Sequence, residues 1–365
     1  MRIREVIQYL ESIAPPVYQE SYDNSGLLTG NREHELSGVL IALDCIESVI
    51  DEAIDKKCNL VIAHHPIVFS GLKSLTGKNY VERTVIKAIK HDISIYAIHT
   101  NLDNVIDGVN KKICDLIGLQ NLRILSPKHQ LLTKLVTFIP PDHAEKVLQS
   151  LYDAGAGRIG DYDHCSFRIE GKGSFRPNES ASPFIGSSGE EEHVNETRAE
   201  LMFPKHLTAK VINVLQKFHP YEEVAYYLTE LSNVNQEVGS GMIGSLDTSM
   251  EPMDFLKFVK EKFNLSVIRH TQLIERSIKN IAVCGGAGSF LLGAAKSAGA
   301  DVFITADYKY HEFFDADQKL IIADIGHYES EVFTKELIYD QLKEKFANIA
   351  LNLTEQNTNP INYLL

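Results

Sequence analysis

The run VIAHHPIVF, residues 61–69, places two histidines between an apolar segment and a proline. Val61, Ile62 and Ala63 offer no polar break on either face, the pattern of a strand buried in a parallel sheet. Neighbouring side chains on a strand point to opposite faces, so His64 and His65 diverge. Open α/β sheets bind ligands outside the carboxyl ends of their strands. The stretch therefore implies a doubly covered sheet and marks one place on it for chemistry.

Working outward, further apolar strands at 38–45, 59–63 and 93–98 alternate with helical patterns at 46–56, 81–90 and 104–119. Ile3, Val6, Ile7, Leu10 and Ile13 give 3–13 the same helical spacing. This order predicts an α/β lobe. Near residue 126 the character changes, and SPKH reads as a linker. The order β-α-β-β-α-β over 131–231 then predicts a ferredoxin-like α+β module, with polar residues 171–193 as a long loop. After a second linker, 232–241, MIGSL (242–246) begins a strand, and a helix at 253–263 precedes strands at 265–270, 279–285, 301–306 and 319–325. A long helix, 327–346, leads to a last strand. The expected fold class is α/β: a bilobed body of two α/β lobes, 1–125 and 234–365, with a ferredoxin-like (α+β) domain, 126–233, inserted in the middle.

Composition narrows the function. The formal charge of −13 over 365 residues, with no basic stripe, disfavours direct nucleic-acid binding. Five scattered cysteines form no CxxC pair, which suits a reducing cytoplasm better than a disulfide framework. The most membrane-like segment, IAVCGGAGSFLLGAAKSAGA, carries Lys296 and a glycine cluster and reads as strand, turn and helix. No membrane partner is expected.

Three predicted strand ends gather unusual residues. His64 and His65 close the first, HTNLDN (99–104) places His99 and Asp103 beyond the second, and GHYESE (326–331) places His327 and Glu331 after the third. Any one has an ordinary explanation: Asp103 as a helix N-cap, Glu331 as a first-turn acid complementing the helix dipole, a lone histidine as a hydrogen-bonded strand end. Together they offer four imidazoles and two carboxylates, donors suited to zinc, iron or manganese. Two adjacent ligands pointing apart can serve two metals bridged by a carboxylate. TADYKYHE (305–312) adds Asp307, Lys309 and His311 as candidate substrate-binding residues, or as a capped, solvated helix start. CGGAGS (284–289) could cradle an anion or form a tight strand-to-helix turn.

DNSGLL (23–28), IAHHPIVF (62–69), IHTNLDN (98–104), CGGAGSF (284–290), TADYKYHE and GHYESE resemble the dinuclear-metal proteins known as type 2 GTP cyclohydrolase I, or NGG-interacting-factor-like proteins. GAGRIGDYDHCSF (155–167) and HPYEEVAYYLTEL (219–231) look like motifs of the PII/CutA-like insert carried by longer members. The resemblance implies metal ligands at His64, His65, Asp103, His327 and Glu331, with Glu331 as the bridge, and His99 as a catalytic proton-transfer residue. It implies two divalent metal ions per subunit, a toroidal homohexamer and a small-molecule substrate. One departure is Met242, in GSGMIG (239–244), where family members often carry arginine. The activity this implies is metal-dependent hydrolysis. The alternative is a non-catalytic metal chaperone, store or sensor with a regulatory insert. A scaffold acting in transcription, the reading of one family name, is the weakest.

Overall fold

The computed structural model describes residues 1–364. They form three sheets in a mixed α/β fold, divided between two compact units, Met1–Ser126 with Val238–Leu365 and Pro127–Glu237.

In the larger unit, Leu60–His65 lies between Val39–Asp44 and Ser94–Ala97, parallel to both. Its apolar residues are fully buried, as are those of Val39–Asp44, because helices cover both faces. The helix Ile3–Ile13 contributes Ile3, Val6, Ile7 and Leu10, each at most 1% exposed. Side chains of that kind stabilise by about 1.5–3 kcal/mol each on burial. Gly26–Thr29 closes one edge antiparallel. Leu351–Leu353, from the far end of the chain, closes the other edge in parallel with Val39–Asp44. The second sheet of this unit has a parallel core, Ile278–Ala287, Val302–Ala306 and Ile321–Asp324, around Phe303.

The smaller unit runs strand, helix, two strands, helix, strand. Its antiparallel sheet centres on Leu132–Ile139 and Glu192–Pro204, flanked by Phe167–Phe175 and Tyr226–Leu231. The helices Pro141–Asp153 and Thr208–Phe218 bury Val147, Leu148, Leu151, Val211 and Leu215 in one core with Leu135, Leu201 and Phe203.

Several elements differ from expectation. The segment read as a linker at 126 continues the strand Gln120–His129, and the linker at 232–241 is strand from Val234 onward, the start of Val234–Met250. Only its first part is hidden; Cβ atoms at Gly241 and Gly244 would stand 3.0 Å from Val283 O and 2.9 Å from Gln120 O, so the strand needs bare backbone there. The polar 171–193 stretch is strand as far as Phe175 and again from Glu192. The 104–119 helix starts only at Val109 and is capped by Gly118 in the left-handed region. The 265–270 strand shrinks to Arg269–His270, and the long helix at 327–346 is two, His327–Glu331 and Thr334–Lys345.

Candidate metal centre

His64 and His65 lie within their strand rather than beyond it. His99 precedes a single helical turn, Thr100–Asp103, after Ser94–Ala97. Gly326, at φ +93, starts His327–Glu331 after Ile321–Asp324. All three segments follow or close strands at their carboxyl ends and converge within the larger unit. Donor atoms fall into overlapping trios, each within 4.8 Å: His64, Asp103 and Glu331; His65, His327 and Glu331; His64, His65 and His99.

Every imidazole of the cluster is anchored through Nδ1. His64 Nδ1 donates to the Ile98 carbonyl at 2.8 Å. His65 Nδ1 donates to Asp44 Oδ1 at 2.8 Å, His99 Nδ1 to Asp23 Oδ1 at 2.7 Å, and His327 Nδ1 to Asp307 Oδ2 at 2.7 Å. An acceptor on Nδ1 fixes the proton there and leaves Nε2 as the ligating nitrogen, the arrangement found behind metal-bound histidines.

Glu331 is 3% exposed. Its Oε2 accepts from His65 Nε2 at 2.9 Å and lies 3.1 Å from His327 Nε2, while Oε1 lies 3.9 Å from His64 Nε2. The two oxygens thus address different histidines. Burial would raise this carboxyl, but His327, the nearby His64 and His65 hold it well below the usual range. His64 Nε2 and Asp103 Oδ1 are buried, 3.6 Å apart, and neither has a hydrogen-bond partner. Orphaned buried polar atoms are costly and require a partner. A cation between them satisfies both, so the donor set fits a metal ion.

Charge in the cluster is strongly perturbed. Burial works against the His65 cation, yet hydrogen bonds to Asp44 and Glu331 push its pKa up to about 10. His327 rises to about 9, against burial, through Glu331 and Asp307. Burial, then the Glu331 charge, raises Asp103 to about 7.

Of the residues singled out in the sequence, His64, His65, His99, Asp103, His327 and Glu331 come together. Asp307, expected at substrate, holds His327 instead, while Lys309 and His311 are exposed and line no part of the adjoining cavity. The glycine run does not present an open anion cradle: Gly285 N donates to Asn110 Oδ1 and Gly286 N to Ser330 Oγ, both at 3.0 Å. The second bond seats the Glu331 helix, and the first ties the run to Val109–Ile117. A Cβ on Gly286, which has φ +61, would stand 2.5 Å from Glu331 Oε1. Met242 is 1% exposed in its strand. Sequence reasoning passed over Asp44, whose only signal is an acid closing the strand next to His65, and Thr358, which donates to Asp44 Oδ2 at 2.6 Å.

Imidazoles and carboxylates at the strand ends of an α/β unit define a class, α/β proteins with a candidate metal centre. The chain belongs to the Duf34/NIF3 (NGG1p interacting factor 3) family, whose model matches residues 1–360. It is 39% identical to a Bacillus subtilis protein named "GTP cyclohydrolase 1 type 2 homolog", covering 99% of this chain and 98% of that one. Among solved structures it resembles a Bacillus cereus protein related to NIF3, at TM-score 0.88 and 36% identity over 100% of this chain and 99% of the other. A Staphylococcus aureus protein matches at TM-score 0.79 and 32% identity over the same shares. Among the described residues no helix is long and apolar enough to cross a membrane.

Proposed function

We propose that this chain is a metal-dependent hydrolase built on a dinuclear divalent-metal centre. The observation that carries the reading is the anchoring of four histidines through Nδ1 around one buried carboxylate. His64, Asp103 and one oxygen of Glu331 would hold one ion; His65, His327 and the other oxygen would hold the second. Zinc, iron and manganese suit these donors. Bound metal at such a centre supplies a Lewis acid and a water acidic enough to attack near neutral pH.

The chain's own groups do the rest. Asp44, Asp307 and the Ile98 carbonyl hold three rings in one tautomer. Asp23 does the same for His99 and also accepts from the Thr100 amide at 3.0 Å and the Thr100 hydroxyl. His99 Nε2 is then free to take a proton from the attacking water and return it to the leaving group. The Asp23 carboxyl is held well below its usual range, against its own burial, by His99 and Thr100, and so stays a charged acceptor.

The relatives' name suggests hydrolytic opening of a guanine nucleotide. The scattered cysteines suit a cytoplasmic location, and resemblance adds a toroidal homohexamer and a PII/CutA likeness for the ferredoxin-like insert, 126–233. The order of strands and helices in the smaller unit supports that last reading. Turnover by metal-loaded protein is the test, with formate release from GTP run beside a panel of amide, ester and cyclic-amidine substrates. Hydrolysis lost in Glu331→Ala and after chelation supports the reading. Reversible metal exchange without turnover of any substrate would favour a metal store or sensor.

A further inference from the structure

One of the three segments that carry the candidate ligands has little of its own to hold it. His64 and His65 belong to a central strand, whereas Asp103 closes a single helical turn, Thr100–Asp103. A turn of that length is not self-supporting, because it fixes several dihedrals for very few hydrogen bonds. It also works against a like charge. Oxygens of Asp103 and Glu331 lie within 4.8 Å of each other, so two carboxylates repel across the cluster. Contacts from outside the turn must fix it.

Three asparagines supply them. Asn101, Asn104 and Asn110 are 0%, 2% and 3% exposed, an uncommon depth for a primary amide. Asn101 Oδ1 accepts from the His99 amide at 2.9 Å, and its Nδ2 donates to the Ala14 carbonyl at 2.7 Å. Asn110 Nδ2 donates to the Asp103 carbonyl at 3.0 Å, and its Oδ1 accepts from the Gly285 amide. Asn104, next to Asp103, makes the most bonds. Its Nδ2 donates to the Tyr18 carbonyl at 2.9 Å and to Glu20 Oε1 at 2.8 Å, and its Oδ1 accepts from Ser240 Oγ at 2.9 Å. Its main-chain amide closes the turn on the Thr100 carbonyl at 3.0 Å, and its own carbonyl accepts from the Gly239 amide at 2.8 Å. Each side-chain oxygen of the three faces a donor and each nitrogen an acceptor. Neither aspartate nor leucine, of similar size, could replace them: aspartate at 104 would set an oxygen against the Tyr18 carbonyl. Asp103 Oδ1 and His64 Nε2, 3.6 Å apart, have no such partner among the described residues. The turn is thus bonded at its base and unbonded where it faces His64, the division expected of a ligand and its support.

Building on the metal-centre reading, we propose that Asn104 is a positioning residue for the candidate ligand Asp103. Its amide ties the turn to Tyr18 and Ser240 and so holds Asp103 Oδ1 opposite His64 Nε2, against the repulsion of Glu331. Asn101 and Asn110 brace the start and the end of the same turn. Asp103 would serve one ion, and His65 with His327 the other, so the influence of Asn104 falls on one ion of the pair.

The test titrates full-length Asn104→Ala with zinc against a chromophoric chelator, beside wild type and Glu82→Gln. Glu82 is equally buried but bonded to Thr76 and Lys78 rather than to any candidate ligand, so its variant controls for lost stability alone. In Asn104→Ala one of two binding steps is expected to weaken about 10–100-fold and the other to stay within about threefold. Glu82→Gln is expected to melt at a lower temperature and keep both steps. Ser240→Ala leaves Asn104 in place and removes one of its partners. It is expected to weaken the same step about two- to tenfold, and it decides the matter should Asn104→Ala not fold. Two unchanged steps in a folded variant would overturn the proposal, since the amide would then serve only the fold. Equal weakening of both steps would overturn it too, because the support would not be specific to Asp103. No binding, or a single step, in wild type would instead refute the two-metal centre itself.

Discussion

Asp44 provides the sharpest test of how the centre is held. Its Oδ1 accepts from His65 Nδ1 at 2.8 Å and its Oδ2 from Thr358 at 2.6 Å, so the carboxylate both orients and polarises His65. Asp44→Asn keeps an acceptor oxygen but removes the charge. Asp44→Ala removes both and frees the ring to rotate. Losing such an outer partner typically costs 10–100-fold in metal affinity, about 1.4–2.7 kcal/mol. Asp44→Asn is expected near the lower figure, since geometry survives, and Asp44→Ala near the upper. Competition against a chromophoric chelator reads the dissociation constant, and thermal melting of the metal-free proteins checks that each variant folds. Asp44→Ala binding metal as tightly as wild type, with its fold intact, would refute the claim that the Nδ1 anchors prepare these rings for metal.

Gly286→Ala should displace Glu331, because the new methyl would stand 2.5 Å from Oε1; reduced metal content in a folded protein is the expected result. Metal uptake should release protons, since His65 and His327, with pKa values of about 10 and about 9, are cations at neutral pH in the metal-free protein. Affinity should therefore climb with pH until those values are passed, with on the order of two protons released per subunit at pH 7 in a weakly buffered titration. Glu82 accepts from the Thr76 amide at 2.8 Å, the Thr76 hydroxyl at 3.0 Å and the Lys78 amide at 3.3 Å, which lowers its carboxyl to about 2. A depressed carboxyl stabilises above its unfolded value, so this contribution is present above about pH 4.5 and is lost as pH falls through about 2. Melting temperatures of Glu82→Gln should accordingly fall less steeply than wild type between those limits.

Local pattern revealed the apolar strands because burial on both faces writes itself into continuous runs such as Val39–Asp44 and Leu60–His65. It missed the first part of Val234–Met250, where Gly241 is needed for close backbone approach and makes a strand look like a linker. Histidines and carboxylates at strand ends pointed to the cluster before any coordinates. What stayed hidden was partnership across the chain. Asp44 meets His65 only because adjacent parallel strands pair in that register, and Asp307 reaches His327 only after both loops fold. The same holds for the cavity. Phe69 and Phe290 are 221 positions apart, and nothing local says that they line one cavity.

The central claim is a two-metal centre assembled by these donors. Metal per subunit, measured by mass spectrometry on untagged protein, tests it most directly, with wild type beside His65→Ala and Glu331→Ala. The account predicts about two ions in wild type and loss of metal in both variants. One ion or none in wild type, unchanged by either substitution, would contradict it and leave His64 and His65 as structural residues of their strand.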